Sequence, residues 1–217
     1  MIEITLIRHG QANTGARSEA DYDRLSDLGR QQALWLGEHL RATGGFDRVV
    51  SGTLSRQEET ASLVNLDSRP HRRDARLNEF DYFHLARALE ESDGIPFPTD
   101  PQSFAAHVPQ VLDLWRAGRA GPDHESYEAF RNRVLGAAAD VAGAGPGAVI
   151  VTSTGVIATL CALALGLETV VKARMFLRIL NTSVHRFAID AEGLHLTQFG
   201  ATPHLDHPDR RGARTHY

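Results

Sequence analysis

Cysteine is almost missing from this sequence: Cys161 is the only one among 217 residues, so no disulfide can form within the chain. Its apolar neighbours predict a buried thiol, and a reducing cytoplasm is the expected setting. Long apolar runs are missing too. None approaches the roughly 20 residues of a membrane-spanning helix, and the first residues, with acidic Glu3, lack the apolar stretch of a signal peptide. Neither sign of charge dominates. With 23 basic and 27 acidic residues the formal charge is −4, which gives no reason to expect a nucleic-acid or membrane partner; an anionic ligand has to be drawn in by a local cluster of arginine. No internal repeat or low-complexity segment is visible. What is present, 42% hydrophobic and 23% charged residues, fits a soluble globular protein of one domain with room for an inserted subdomain. Oligomeric state is not legible.

The most informative stretch is Ile4-Thr5-Leu6-Ile7-Arg8-His9-Gly10. A short apolar run that ends at Gly predicts a buried strand opening into a loop, and ligand sites in α/β sheets lie at such strand ends. A neutral imidazole with one ring nitrogen fixed by a hydrogen bond is a good nucleophile. Arg8 can fork onto two phosphate oxygens, and Gly10 allows close backbone approach. These three residues suit phosphoryl transfer; an ordinary strand-to-turn exit is the plainer reading.

The polar stretch from Gln11 to Asp23 predicts a long loop over the crevice. Within it Asn13 and Thr14 can donate to a phosphate oxygen or simply form turns. Ser26 is placed to cap a helix over about 27–41, ended by Gly44-Gly45. A second strand over 46–51 and a helix from near Thr53 follow, putting Arg56 in the first turn of that helix. It can reach towards His9 or pair on its own helix face with Glu59. Glu79 follows Leu77-Asn78 and is either an exposed loop residue or a general acid whose pKa is raised.

Between about 81 and 124 the chain becomes Ala/Leu-rich and helical, with a proline-rich turn at Pro96, Pro98 and Pro101. Pro109 is expected to kink or break its helix unless it opens a new one. Asp81, Tyr82 and His84 are the expected pocket-lining residues, and Trp115 is expected to pack. Ser126 opens a further helix, and Ala148 to Thr152 is a buried central strand leading through Ser153-Thr154-Gly155 into an apolar helix. That junction is itself an anion site. Two strands, about 184–189 and 194–199, form a hairpin, with His185 a strand residue. From about 201 the chain reads as a mobile polar tail, His204 and His207 being tail rather than metal ligands.

Four blocks stand in one order: Arg8-His9-Gly10, the stretch from Ser51 through Arg56 to Ala61, Leu77-Asn78-Glu79, and Val149 to Ile157. In this the chain resembles the histidine phosphatase superfamily, also called the phosphoglycerate mutase-like proteins, over about residues 2–206. The resemblance implies an α/β fold, a three-layer sandwich around a mostly parallel sheet, in one domain with a helical cap inserted at about 81–124. It implies a small phosphorylated substrate and a metal-independent phosphatase without cofactor. His9 would be the nucleophile, Arg8 and Arg56 the phosphate clamp and Glu79 the general acid. Asn13, Thr14, Ser153, Thr154, Tyr82 and His84 would bind substrate.

One departure stands out. Members of the family usually carry a second histidine after the late strand, hydrogen-bonded to the transferring phosphoryl group, and Ser153 stands in the matching place here. Loss of one such donor costs about 10²–10³-fold in rate. Either Ser153 and nearby N–H groups suffice for a slowed phosphatase, another group such as His84 takes over, or the protein binds a phosphometabolite without turnover. A mutase is a further reading, weakened because mutases of the family place an Asn further from the nucleophile than Asn13 is from His9.

Overall fold

The computed structural model describes residues 1–16 and 18–216. In chain order the elements are β1 (Ile2–Arg8), α1 (Glu19–Tyr22), α2 (Asp27–Ala42), β2 (Arg48–Ser51), α3 (Ser55–Val64), β3 (His71–Arg73), α4 (Tyr82–Asp93), α5 (Pro101–Arg116), α6 (Tyr127–Gly143), β4 (Ala148–Thr152), α7 (Thr154–Leu165), α8 (Thr169–Phe176), β5 (Val184–Asp190) and β6 (Gly193–Ala201). The six strands form one sheet in the order β3-β2-β4-β1-β5-β6. The first four run parallel, and β5 and β6 add an antiparallel edge.

Side chains alternate between the two faces of a strand, and the apolar pattern uses both. Ile4, Leu6, Val50, Ile150 and Phe187 face the layer built from α6, α7 and the cap helices. Ile7, Val49, Val149, Val151 and Val184 face α2 and α3. Strand β4 is buried along its whole length, as expected of a parallel strand covered on both sides. The edge strand β6 is mostly solvent-facing, and β3 at the other edge is a three-residue segment rich in arginine; a short, charged strand deters pairing with other chains.

Caps set the helix boundaries. Ser26, Asp81, Asp100 and Ser126 each accept an N–H from the first turn of the following helix, a contact worth about 1 kcal/mol. Helix α5 continues through Pro109 and neither breaks nor restarts there. An interior proline costs about 3 kcal/mol or more; burial of Val108, Val111, Leu112, Leu114 and Trp115 around it offsets that cost.

The last segment also departs from expectation. Residues 203–205 and 208–213 form two short 3-10 turns, and the chain beyond them is held to α2 and to the segment before β5. The reason is two buried amides. Gln32 donates to the Ala213 carbonyl (2.6 Å) and the Thr215 hydroxyl (3.0 Å), while the Asn181 N–H donates to the Thr215 carbonyl (2.9 Å). Among the described residues no helix is long and apolar enough to cross a membrane.

Candidate functional site

A crevice of about 390 Å³ opens at the C-terminal ends of the parallel strands. Strand β1 delivers Arg8 and His9 to its floor. Its backbone is fixed on both sides: the His9 N–H donates to the Thr152 carbonyl (2.9 Å) on β4, and the Arg8 N–H to the Ser183 carbonyl (3.2 Å) before β5. Thr182, in the left-handed region at φ 55, donates its N–H to the Arg8 carbonyl (3.1 Å). The Gly10 N–H donates to the Thr60 hydroxyl (3.0 Å). Glycine is required at position 10 by a neighbouring backbone, since a methyl group there would collide with the Gly29 carbonyl at the start of α2.

The His9 ring is held in one tautomer. Its Nδ1 lies 2.7 Å from the Gly10 carbonyl. A carbonyl only accepts, so Nδ1 carries the proton and Nε2 keeps its lone pair. Burial, reinforced by the charges of Arg56 and Arg8, pushes the imidazole pKa well below its usual range, so the ring is neutral at physiological pH.

Two guanidiniums flank it. Arg8 donates through one terminal nitrogen to the Ile179 carbonyl (2.6 Å). Arg56, 1% exposed, reaches in from the first turn of α3, where the Asp23 carboxylate accepts the N–H groups of Ser55 (2.8 Å) and Arg56 (3.1 Å). Burial disfavours the Arg56 charge, but Glu19 at 2.7 Å and Asp23 at 3.1 Å outweigh it and raise its pKa above the ordinary value. Nε of Arg8 and Nε of Arg56 are buried with no hydrogen-bond partner among the described residues. Leaving buried donors unpaired is costly.

Glu79 faces the same space. Its carboxylate accepts the Gly155 N–H (2.8 Å) at the start of α7 and the Phe80 N–H (3.1 Å). Enclosure raises its pKa, with those two N–H groups and Arg56 opposing. A methyl group on Gly155 would fall on the Glu79 carboxylate, so the close approach requires glycine. The segment before Glu79 is anchored by its Leu77 carbonyl, which accepts from Thr152 (2.7 Å) and Gln57 (3.2 Å).

Of the residues singled out from the sequence, Arg8, His9, Arg56, Glu79, Asn13, Thr14, Tyr82 and Thr154 all line the crevice. The Asn13 amide is committed to the Asp21 carbonyl (3.0 Å), and the Tyr82 hydroxyl lies 2.8 Å from His107 Nδ1. Three residues lie elsewhere. Ser153 is fully buried beside the crevice, its hydroxyl accepting from the Gln57 amide (2.8 Å). Asp81 caps α4. His84 turns away, stacked on His124 at 4.5 Å with Nε2 against the Ala120 carbonyl (3.1 Å), so it does not take the place of a second active-site imidazole.

The expected loop over 11–23 contains α1, a single turn capped by Ser18; Arg17, within it, lies outside the described residues. This turn supplies Glu19 and Tyr22, which sequence reasoning missed because four residues carry no periodicity. His216, assigned to a mobile tail, also lines the crevice. The outer wall is aromatic: Phe83 and Phe97 stack at 5.5 Å, and Tyr82 packs on Phe104 at 5.4 Å. Among the described residues no group of His, Cys, Asp and Glu is placed to hold a metal ion.

Comparison with known proteins gives a consistent result. Residues 4–202 match the histidine phosphatase superfamily (branch 1). The chain is 33% identical over 119 residues to the mitochondrial serine/threonine-protein phosphatase Pgam5 of Drosophila virilis, a match covering 53% of this chain and 36% of that protein. The Drosophila grimshawi counterpart is 32% identical over 101 residues, covering 45% and 30%. The chain thus spans about a third of the length of the curated relatives it matches. Among solved structures, Bacillus stearothermophilus YhfR superposes with TM-score 0.69 at 22% identity, covering 94% of this chain and 99% of that one. A mutant phosphoserine phosphatase from Entamoeba histolytica in complex with phosphoserine gives TM-score 0.69 at 19% identity, covering 94% and 100%. A mycobacterial glucosyl-3-phosphoglycerate phosphatase complexed with VO3 gives 0.66 at 24%, covering 93% and 100%. These likenesses establish the fold.

Proposed function

Because the chain belongs to branch 1 of the histidine phosphatase superfamily, we propose that it is a phosphomonoester hydrolase working through a phosphohistidine at His9. In the first step Nε2 of His9 attacks phosphorus in line, the bond to the ester oxygen breaks, and the Glu79 carboxyl gives its proton to the departing alcohol. In the second, water attacks the phosphohistidine, Glu79 takes the proton of that water, and inorganic phosphate leaves with His9 restored. Arg8 and Arg56 hold the non-bridging oxygens throughout and balance their charge.

One observation carries this reading: an imidazole whose Nδ1 is held by the Gly10 carbonyl, so that Nε2 keeps its lone pair, beside the charges of the two buried arginines Arg8 and Arg56. The raised pKa of Glu79 supports its part, since a carboxyl that holds its proton more firmly than an ordinary glutamate suits protonation of a leaving alkoxide. The walls bear on the substrate. Phe83, Phe97, Phe104 and Leu177 favour an apolar group on the departing alcohol, and the carboxylates of Glu19 and Asp100 disfavour an anionic one.

The test is release of phosphate from p-nitrophenyl phosphate by the purified protein in the presence of EDTA. Turnover is expected, and His9→Ala should lower kcat by about 10⁴-fold or more. Turnover that survives this substitution would overturn the assignment of the nucleophile. The rival reading, a protein that binds a phosphometabolite without hydrolysing it, draws on the Ser153 hydroxyl being engaged by Gln57 outside the crevice. Saturable phosphate binding with no turnover would decide for it.

A further inference from the structure

Two of the groups read from the sequence as donors to the phosphoryl group point elsewhere. Ser153 is turned to Gln57 and His84 to Ala120. Tyr22 stands among the phosphate-handling groups instead. Its ring meets the His9 ring edge-on, with centroids 6.2 Å apart and planes at 79°. The Arg56 guanidinium lies over its face at 4.8 Å. Its phenol lines the crevice close enough to the Arg8 guanidinium to raise the pKa of that arginine against the effect of burial. Nucleophile and both arginines thus touch one side chain from three directions.

The position is tethered to the machinery it would serve. Tyr22 ends α1, and the next residue, Asp23, accepts the N–H groups of Ser55 and Arg56. The turn bearing the phenol is thereby tied to the helix bearing Arg56. On the other side the ring reaches Phe83 of the cap at 6.5 Å, so Tyr22 sits where phosphate pocket and apolar wall meet.

Hydrogen-bond arithmetic then points the hydroxyl. A guanidinium can only donate, so towards Arg8 the phenol oxygen can act only as acceptor, and the phenolic hydrogen is left for another partner. We propose that Tyr22 is a further catalytic residue, its hydroxyl donating to a non-bridging oxygen of the phosphoryl group as that group passes onto and off His9. The proposal rests on the phosphohydrolase reading and supplies the donor that the late-strand position lacks. No proton is transferred by Tyr22; its hydrogen bond shortens as negative charge gathers on the transferring group.

The alternative is that Tyr22 and Glu19 merely plug the arginines, and the two roles have opposite signs. Tyr22→Phe keeps the ring packing and removes the hydroxyl; Tyr22→Ala removes both. The measurements are kcat and KM on p-nitrophenyl phosphate, and calorimetric titration with orthovanadate, which mimics phosphorus in mid-transfer. For Tyr22→Phe, kcat should fall by about 10²-fold with KM changed by less than about threefold, and vanadate should bind about 10²-fold more weakly. A purely structural role does not produce that split. Unchanged kcat and vanadate affinity in Tyr22→Phe, or faster turnover in Tyr22→Ala, would overturn the proposal. If the unaltered protein binds vanadate but never turns over, the hydrolase reading fails by itself, and vanadate affinity in Tyr22→Phe still decides the contact: weakened supports it, unchanged overturns it.

Discussion

The two walls of the crevice are built on opposite plans. The phosphate wall is polar and buried, and each of its groups is fixed by a hydrogen bond with a distant part of the chain: the His9 N–H donates to Thr152 and Arg8 to Ile179, the Arg56 N–H donates to Asp23, and Glu79 accepts from Gly155. The cap wall of Phe83, Phe97, Phe104 and Tyr82 is held by ring packing, with the Tyr82–His107 contact its main polar link. Hydrogen bonds specify direction, whereas apolar packing specifies area and tolerates replacement of similar volume. The phosphate wall is therefore suited to holding a transition state and the cap wall to sorting the alcohols attached to the phosphate.

The contrast can be pressed hardest at Glu79. Glu79→Gln keeps the Gly155 N–H bonded and removes the proton, so kcat should fall by about 10²–10³-fold for substrates with poor leaving groups. In the unaltered protein the rate should drop as pH rises through the raised Glu79 pKa, and drop again in acid only as His9 protonates, well below its usual range. The glutamine variant should lose the alkaline limb. A pH–rate profile on alkyl and aryl phosphates checks this, and a retained alkaline limb would remove Glu79 from the role of acid.

The polar side should also be the one that fails in acid. His185, bonded to Ser183, and His204, bonded to Thr182, brace the turn beneath Arg8 and His9. Burial pushes each to about 3, with nearby Arg8 adding to the shift for His185 and His39, Arg210 and Arg214 for His204. Folded pKa values below the unfolded value of about 6.5 mean that the unfolded chain binds more protons between those limits, so stability is full above the unfolded value and is lost as pH falls towards 3. Each histidine contributes a slope of at most about 1.4 kcal/mol per pH unit, enough for two to use up much of a marginal stability by about pH 4. Thermal melts from pH 7 to 4 should show a falling midpoint, flattened in His204→Asn.

The smallest effect is expected on the cap. Phe97→Ala removes one ring of a stack and should raise KM for a naphthyl phosphate by roughly tenfold, about 1–2 kcal/mol, while leaving kcat for small alkyl phosphates within about twofold. An equal loss on both substrates would mean that the walls are not separate in function.

Legibility in the sequence followed the same division. Arg8, His9 and Glu79 follow short, recognisable segments, and Arg56 falls where the first turn of α3 was expected. Glu19 and Tyr22 sit in a one-turn helix whose role comes from Asp23 bonding to α3, a contact 32 positions away that no local pattern encodes. Chain proximity to Glu79 misled at Asp81 and His84, because a helix N-cap and the turn after it aim side chains in different directions. The alternation of strands and helices and the β5–β6 hairpin were readable from apolar runs and a short polar link, while the parallel order of the sheet came from the family resemblance. The uninterrupted α5 was not, because burial around Pro109 outweighs its local cost.

The clasp formed by Gln32 and Asn181 takes hold chiefly of main-chain carbonyls, at Ala213 and Thr215. The clasp itself reads no side chain across 206–212, where other contacts hold Arg210 over the Trp35 ring and pair Asp206 with Arg214. Inserting or deleting a single residue is different: the register slips, another carbonyl meets Gln32, and His216 is carried off the rim of the crevice. In this stretch length, more than composition, is the quantity for selection to guard.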